Sequence, residues 1–190
     1  MLIGLAGCAK YNARPMKPLM HLENTREQAV SFSYQVFDRH DCKKYLGKNT
    51  INKGYQPIQV TIVNNSDHYL TMNLDSFNCE CINPDEVAEK MHTNTVGRAV
   101  GYGIPAWLLF PVLVIPAIVD GVGSSKANKK LDADYDDKAL SNRTIAPYTT
   151  VNGLIFISTD DYAGNITVTL TDEENHKRYV LSNLRHEAKV

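Results

Sequence analysis

The sequence has almost no net charge: 20 Lys and Arg stand against 21 Asp and Glu, leaving a formal -1. Binding to phosphate backbones depends on Lys and Arg clustered on a basic face, so this balance gives no basis for a nucleic-acid partner. Cysteine is scarce, with only Cys8, Cys42, Cys79 and Cys81. If Cys8 is modified three remain, an odd number that cannot close a disulfide framework. No internal repeat of about 20–50 residues is present, against a solenoid or propeller.

Chemical motifs are equally thin. Gly101-Tyr102-Gly103-Ile104-Pro105-Ala106 has the spacing of a dinucleotide fingerprint, but it follows a helical stretch and carries proline where the next helix should form. Asp132, Asp134 and Asp136 imitate the opening of a calcium loop. Asp137 occupies the glycine position of such a loop and Arg143 that of its glutamate, leaving a solvated helix face. A metal site would have to recruit His40 or His92 to the cysteines, at a spacing that matches no zinc pattern. A Cys–His nucleophile lacks an orienting third group. His21, His68, His176 and His186 lie in polar surroundings and read as surface residues. No catalytic residue, metal or cofactor is therefore expected, and the chain reads as a non-enzyme.

What is present is one long uncharged run between Arg98 and Asp120, containing Tyr102, Trp107, Leu108, Leu109, Phe110 and Val112. It reaches the roughly 20 residues that a helix needs to cross a bilayer. Pro105, Pro111 and Pro116 argue against one smooth helix, since an interior proline costs about 3 kcal/mol. A broken helix or a pair of short ones fits better. Two ten-residue arms reach only about 15 Å, one leaflet at most. The run therefore dips into the membrane and returns, packs on the sheet or in an oligomer interface, or lines a pocket for a lipid or other apolar ligand. A single span ranks last, because it would part the early strands from the late ones. Lys126, Lys129 and Lys130 would then favour a cytoplasmic C-terminus.

Strand patterns flank this run. Val30, Phe32, Tyr34 and Val36 alternate with polar residues as in a half-buried strand. A short helix or turn over Asp41 to Leu46 stops at Gly47. Ile58 to Ile62 and Leu70 to Leu74 read as a hairpin about an Asn64–Asp67 turn, with Pro57 at the start of a strand or on an edge. Asn83, Pro84, Asp85 and Glu86 open a helix that runs to about Val96. A polar helix follows from about Ser125 to Leu140, with Asp134 four residues from both Lys130 and Lys138. Leu154 to Ile157 suggests a central strand, and Ile166 to Leu170 forms a hairpin with Tyr179 to Leu181 across the turn from Asp172 to Lys177. In an oxidising compartment Cys79 or Cys81 can bond Cys42, the alternative being inert thiols.

The first eight residues end in Leu5-Ala6-Gly7-Cys8. They resemble the lipobox of bacterial lipoproteins. The resemblance implies export, cleavage after Gly7, acylation of Cys8 with chains such as palmitate, and a mature chain lipid-anchored in the cell envelope. The periplasm is the expected compartment and the outer membrane is ranked ahead of the inner one. No Lys or Arg precedes the apolar run, which is shorter than the usual seven to fifteen or so residues, so the true start is expected upstream of Met1. Residues 9–28 are polar and read as a flexible tether, and residues 29–190 as a single domain with a helical and apolar insertion at about 83–141.

The fold expected is a mainly β, small antiparallel sandwich. Ile145-Ala146-Pro147 followed by Val151 to Phe156 resembles the proline-then-strand opening of immunoglobulin-like domains in secreted bacterial lipoproteins, and this carries over no functional residue. The function expected is a structural or protein-interaction role in an envelope or secretion assembly, with apolar-ligand binding by residues 99–119 as the alternative. An uncovered apolar element usually marks an interface.

Overall fold

The computed structural model describes residues 11–19, 29–93 and 114–182, with side chains in the long helix described from Ser125 onward. It is mostly β, with two antiparallel sheets and three helices. The strands are β1 (Val30–Val36), β2 (Tyr55–Asn64), β3 (Leu70–Met72), β4 (Arg143–Ile145), β5 (Thr149–Ser158), β6 (Thr167–Asp172) and β7 (Arg178–Ser182). The helices are α1 (Arg39–Leu46), α2 (Pro84–Met91) and α3 (Val114–Lys138). One sheet has the order β1-β2-β5, the other β4-β3-β6-β7. Early and late strands thus pair in both sheets, and α2 and α3 fall between them in sequence.

Local rules explain the helix ends. The Asp38 carboxylate accepts the Asp41 amide at 2.7 Å, and Gly47 closes α1 at φ 65°, a left-handed conformation that favours glycine. Asn83 accepts the Asp85 amide at 2.9 Å and Pro84 opens α2. This helix ends at Met91 rather than near Val96. The α3 helix starts at Val114, eleven residues before the Ser125 expected. Pro116 lies within it, two residues after Val114.

The Ile58–Leu74 hairpin does not form. The β2 strand pairs along its length with β5, from Tyr55–Ser158 to Asn64–Thr149, and β1 takes its other edge. No edge of β2 is left for β3, which crosses to the second sheet between β4 and β6. Asn64 makes this corner. Its side-chain amide donates to the carbonyls of His68 at 2.8 Å and Ala146 at 3.1 Å, and its oxygen accepts from the Ser66 amide and hydroxyl. The Asn64–Asp67 turn chemistry is real, but it joins two sheets.

Pro57 falls at the start of β2, ahead of the β1 pairing that begins at Ile58, although β2 is the central strand of its sheet. The Phe37 amide donates to the Pro57 carbonyl at 3.1 Å, and a residue other than proline would return that bond. The Gln56 side chain supplies the missing donor, its Nε2 lying 2.8 Å from the Phe37 carbonyl. Conversely β5 is an edge strand, not a central one. Its outer carbonyls are covered by the Leu140 amide on Leu154 at 2.8 Å and the Ile82 amide on Phe156 at 2.7 Å, which blunts the edge. The β6–β7 hairpin forms as expected across residues 173–177.

Two cores result. Phe32, Tyr34, Ile58, Val60, Ile62, Ile155 and Ile157 face Leu70, Met72, Val168 and Leu170 between the sheets. On the far side of the three-stranded sheet, Tyr55, Leu154 and Phe156 join Leu46, Val87, Leu131 and Tyr135 from the helices. That face also holds Ser31, Ser33, Gln59 and Thr61, all buried. The alternation in β1 therefore does not mark one wet face: both sides of the sheet are covered.

Candidate functional site

Residues 11–19, within the stretch read as a tether, are held against this far face as a strap. Tyr11 is buried and its hydroxyl donates to Asp134 Oδ2 at 2.6 Å. The Arg14 amide donates to the Lys44 carbonyl at 2.9 Å, Gln59 Nε2 to the Lys17 carbonyl at 2.6 Å, and the Leu19 amide to Thr61 Oγ1 at 2.9 Å. Burial first, then the hydrogen bond to Asp134, pushes the Tyr11 phenol well above its usual range. Asp134 also accepts from Lys138 Nζ at 2.5 Å, and the same ammonium donates to the Tyr45 carbonyl at 2.6 Å. Strap, α3 and α1 are thus tied at one carboxylate, one of the three on what had read as a solvated helix face. A Cβ on Gly47 would lie 2.8 Å from the Tyr11 ring, so this glycine both ends α1 and seats the tyrosine.

The long helix meets the domain through its C-terminal half. Leu131 and Tyr135 are buried there, and Ala127 packs beside them. His92 Nε2 lies 2.6 Å from Asp132 Oδ1, and the Thr93 amide donates to Asn128 at 3.0 Å. Thr93 thus lies beside Asn128, which is 14 positions, about 21 Å, along α3 from Val114. No helix among the described residues is long and apolar enough to cross a membrane.

A cleft of about 720 Å³ opens where the end of α3 meets the loop before α2, lined by Leu74, Cys81, Ile82, Asp136, Leu140 and Arg143, among others. Cys81 Sγ donates to the Leu74 carbonyl at 3.8 Å, and Cys79 and Cys81 are both part-exposed free thiols. Cys42 is a free, buried thiol among the helices, 3.6 Å from Thr50 Oγ1; burial raises it, outweighing the lowering by the hydrogen bonds there. The three-stranded sheet separates Cys42 from the other two, which pack on the inter-sheet core. The expected bond from Cys42 to one of them is absent, because the fold puts them on opposite faces.

At the far end of the four-stranded sheet, His68 is in a carboxylate cluster rather than being a bare surface residue. Its Nδ1 lies 3.0 Å from Glu174 and 3.7 Å from Asp172, and its Nε2 is 3.3 Å from Asp67. Burial raises the Asp172 carboxyl, but amide donors at Glu174 and Asn175 and the nearby His68 outweigh it and hold the group below its usual range. It builds the β6–β7 turn. No group of three or more His, Cys, Asp or Glu among the described residues is arranged to hold a metal ion.

Cys8, Tyr102, Trp107, Leu108, Leu109, Phe110 and Val112 lie outside the described residues. Sequence reasoning missed the strap and the cleft; the signal for the first was an aromatic, Tyr11, in an otherwise polar stretch. The chain matches no protein-family model, no curated protein and no solved structure.

Proposed function

We propose that this protein is a lipid-anchored component of a bacterial cell envelope, non-enzymatic, that works by contact with other proteins. The observation that carries the reading is the strap. Tyr11 is buried against α3 only three residues after Cys8, so an acyl group on that sulfur would sit within about 11 Å of the helical face. An acylated Cys8 then holds the domain at the bilayer surface instead of on a long leash. The apolar stretch that begins α3 lies 20 residues from Asp134, about 30 Å along the helix. The apolar run of residues 99–119, which contains Trp107 and Phe110, is the segment offered to a partner, since large aromatics are the residues that dominate interfaces.

The finer fold reading belongs here as well. We read the two sheets as an immunoglobulin-like sandwich, supported by the three-plus-four strand arrangement and the sheet-to-sheet crossings β2–β3 and β4–β5.

Anchoring is tested by partition. The full-length chain is expected in the membrane fraction with labelled palmitate on its N-terminal peptide, and Cys8→Ser in the soluble fraction without label. Equal partition of the two would reject the anchor.

A further inference from the structure

Three loops meet at one end of the two sheets: the β2–β3 corner, the β4–β5 turn and the β6–β7 turn. Leu70 pairs with both Ile145 and Asp172, so the residues just beyond these positions share that end. They are tied together there. The Asn64 amide spans the carbonyls of His68 and Ala146, and the Glu173 amide donates to the Tyr69 carbonyl at 3.0 Å. Glu173 Oε1 accepts the hydroxyls of Thr71 and Thr144 at 2.8 and 2.9 Å.

This end carries Tyr69, 48% exposed, and Tyr148, 73% exposed, two of the three large apolar side chains that the described residues leave exposed. Tyr148 stands third in the turn from Ala146 to Thr149, which Thr149 Oγ1 closes on the Ala146 carbonyl at 2.6 Å. Its φ is 55°, a conformation that glycine or asparagine ordinarily fills at that position. The ring is thus neither buried nor on an easy backbone, and folding alone does not account for it. The charge on these loops is negative. Asp67 and Glu174 are 77% and 63% exposed, and beneath them Asp172 is fully buried, its Oδ2 turned to His68 at 3.7 Å with no hydrogen-bond partner among the described residues. Lys177 of the third loop lies over the Tyr179 ring, 4.9 Å from its centroid.

We propose that this end is a docking surface for a cationic segment of a protein partner, whose arginines lie on Tyr69 and Tyr148 and pair with Asp67 and Glu174. Arginine suits both halves of the surface: its plane stacks on aromatic rings and its fork of donors matches a carboxylate. The inference rests on the reading that this protein works by contact with other proteins, but not on Cys8 or on residues 99–119.

The test titrates the full chain with fluorescein-labelled hexa-arginine and hexa-lysine, read by anisotropy and by amide shifts in NMR. Hexa-arginine is expected to bind more tightly than hexa-lysine and to shift amides of 66–70, 146–149 and 172–177. Tyr69→Ser and Tyr148→Gly should each weaken it about fivefold. Asp67→Asn with Glu174→Gln should flatten its dependence on salt. Tyr148→Gly should melt no lower than the wild type, because glycine accepts the positive φ freely; a marked fall would give the ring a structural role and count against the proposal. Absence of binding, equal binding of the two peptides, or shifts confined to other loops would overturn it. So would concentration-dependent dimerisation that Tyr148→Gly abolishes, which would make a second copy of this chain the occupant. Because no membrane enters the assay, failure of this surface and failure of the lipid anchor are read separately.

Discussion

Phe156→Ala is expected to lower the unfolding free energy by about 3–5 kcal/mol, the range for a large aromatic removed from a packed interior. Phe156 is buried on β5 and stacks on Tyr135 with ring centroids 5.8 Å apart and planes 2° from parallel. Tyr135 belongs to α3, so this ring pair is where the long helix meets the sheet. The alanine would leave a void bounded by β2, α2 and α3, whose backbones are already fixed by pairing and cannot close it. Tyr135→Phe serves as the contrast. The Tyr135 hydroxyl is buried with no hydrogen-bond partner among the described residues, and burial holds its phenol well above the usual range. Removing an unmatched hydroxyl while keeping the ring should be neutral or raise stability by about 1 kcal/mol. Urea unfolding checks both, and an alanine loss near zero would show that α3 does not share the domain's core.

Tyr11→Ala is expected to release the strap while leaving the domain folded. The buried ring and the 2.6 Å bond to Asp134 are both lost, on a segment that can peel away without breaking either sheet. The loss is therefore capped at the strap's own docking free energy, about 3 kcal/mol from the burial of one aromatic. Hydrogen exchange reads it directly. The Arg14 amide, bonded to the Lys44 carbonyl, and the Leu19 amide, bonded to Thr61, should lose about a hundredfold in protection. Amides in β2 should keep theirs. Unchanged protection at Arg14 and Leu19 would mean that Tyr11 does not hold the strap, and equal losses throughout the sheet would mean that strap and domain unfold as one unit.

The contrast between these sites and the rest of the chain shows what a sequence carries. The end of α1 at Gly47, the opening of α2 at Asn83 and Pro84, and the β6–β7 turn were legible, because caps and turns depend on a few neighbouring residues. The sheet that β3 joins was not. It follows from β5 having taken the second edge of β2, a pairing across nearly a hundred residues. Pro57 was legible as the start of a strand, but the group that replaces its missing donor, a neighbouring glutamine amide, is visible only once Phe37 is in place. Leu154 to Ile157 read as central because it is apolar on both faces. That inference about burial was sound, since helices and the second sheet cover the two faces, but burial of faces does not tell which strand holds the edge.

The strap escaped notice because its binding uses main-chain groups of a polar segment on a polar row, a pattern with no hydrophobic period. Gln59, Thr61 and Asn152 form that row, with Asn152 Oδ1 accepting from both of the others at 2.7 and 2.9 Å. The cleft was not legible. Cys79 and Cys81, separated only by Glu80, are plain in the sequence, but their separation from Cys42 by a whole sheet is a property of the fold.

The proposed role requires a domain held at a membrane by Cys8 and joined there to other proteins. The measurement that bears on it most directly is the native size of the full-length chain extracted in mild detergent, beside Cys8→Ser prepared the same way. The account predicts a species several times the 21.2 kDa chain, with other envelope proteins present in fixed ratio, that disperses in the variant. A single-chain species in both preparations would contradict it.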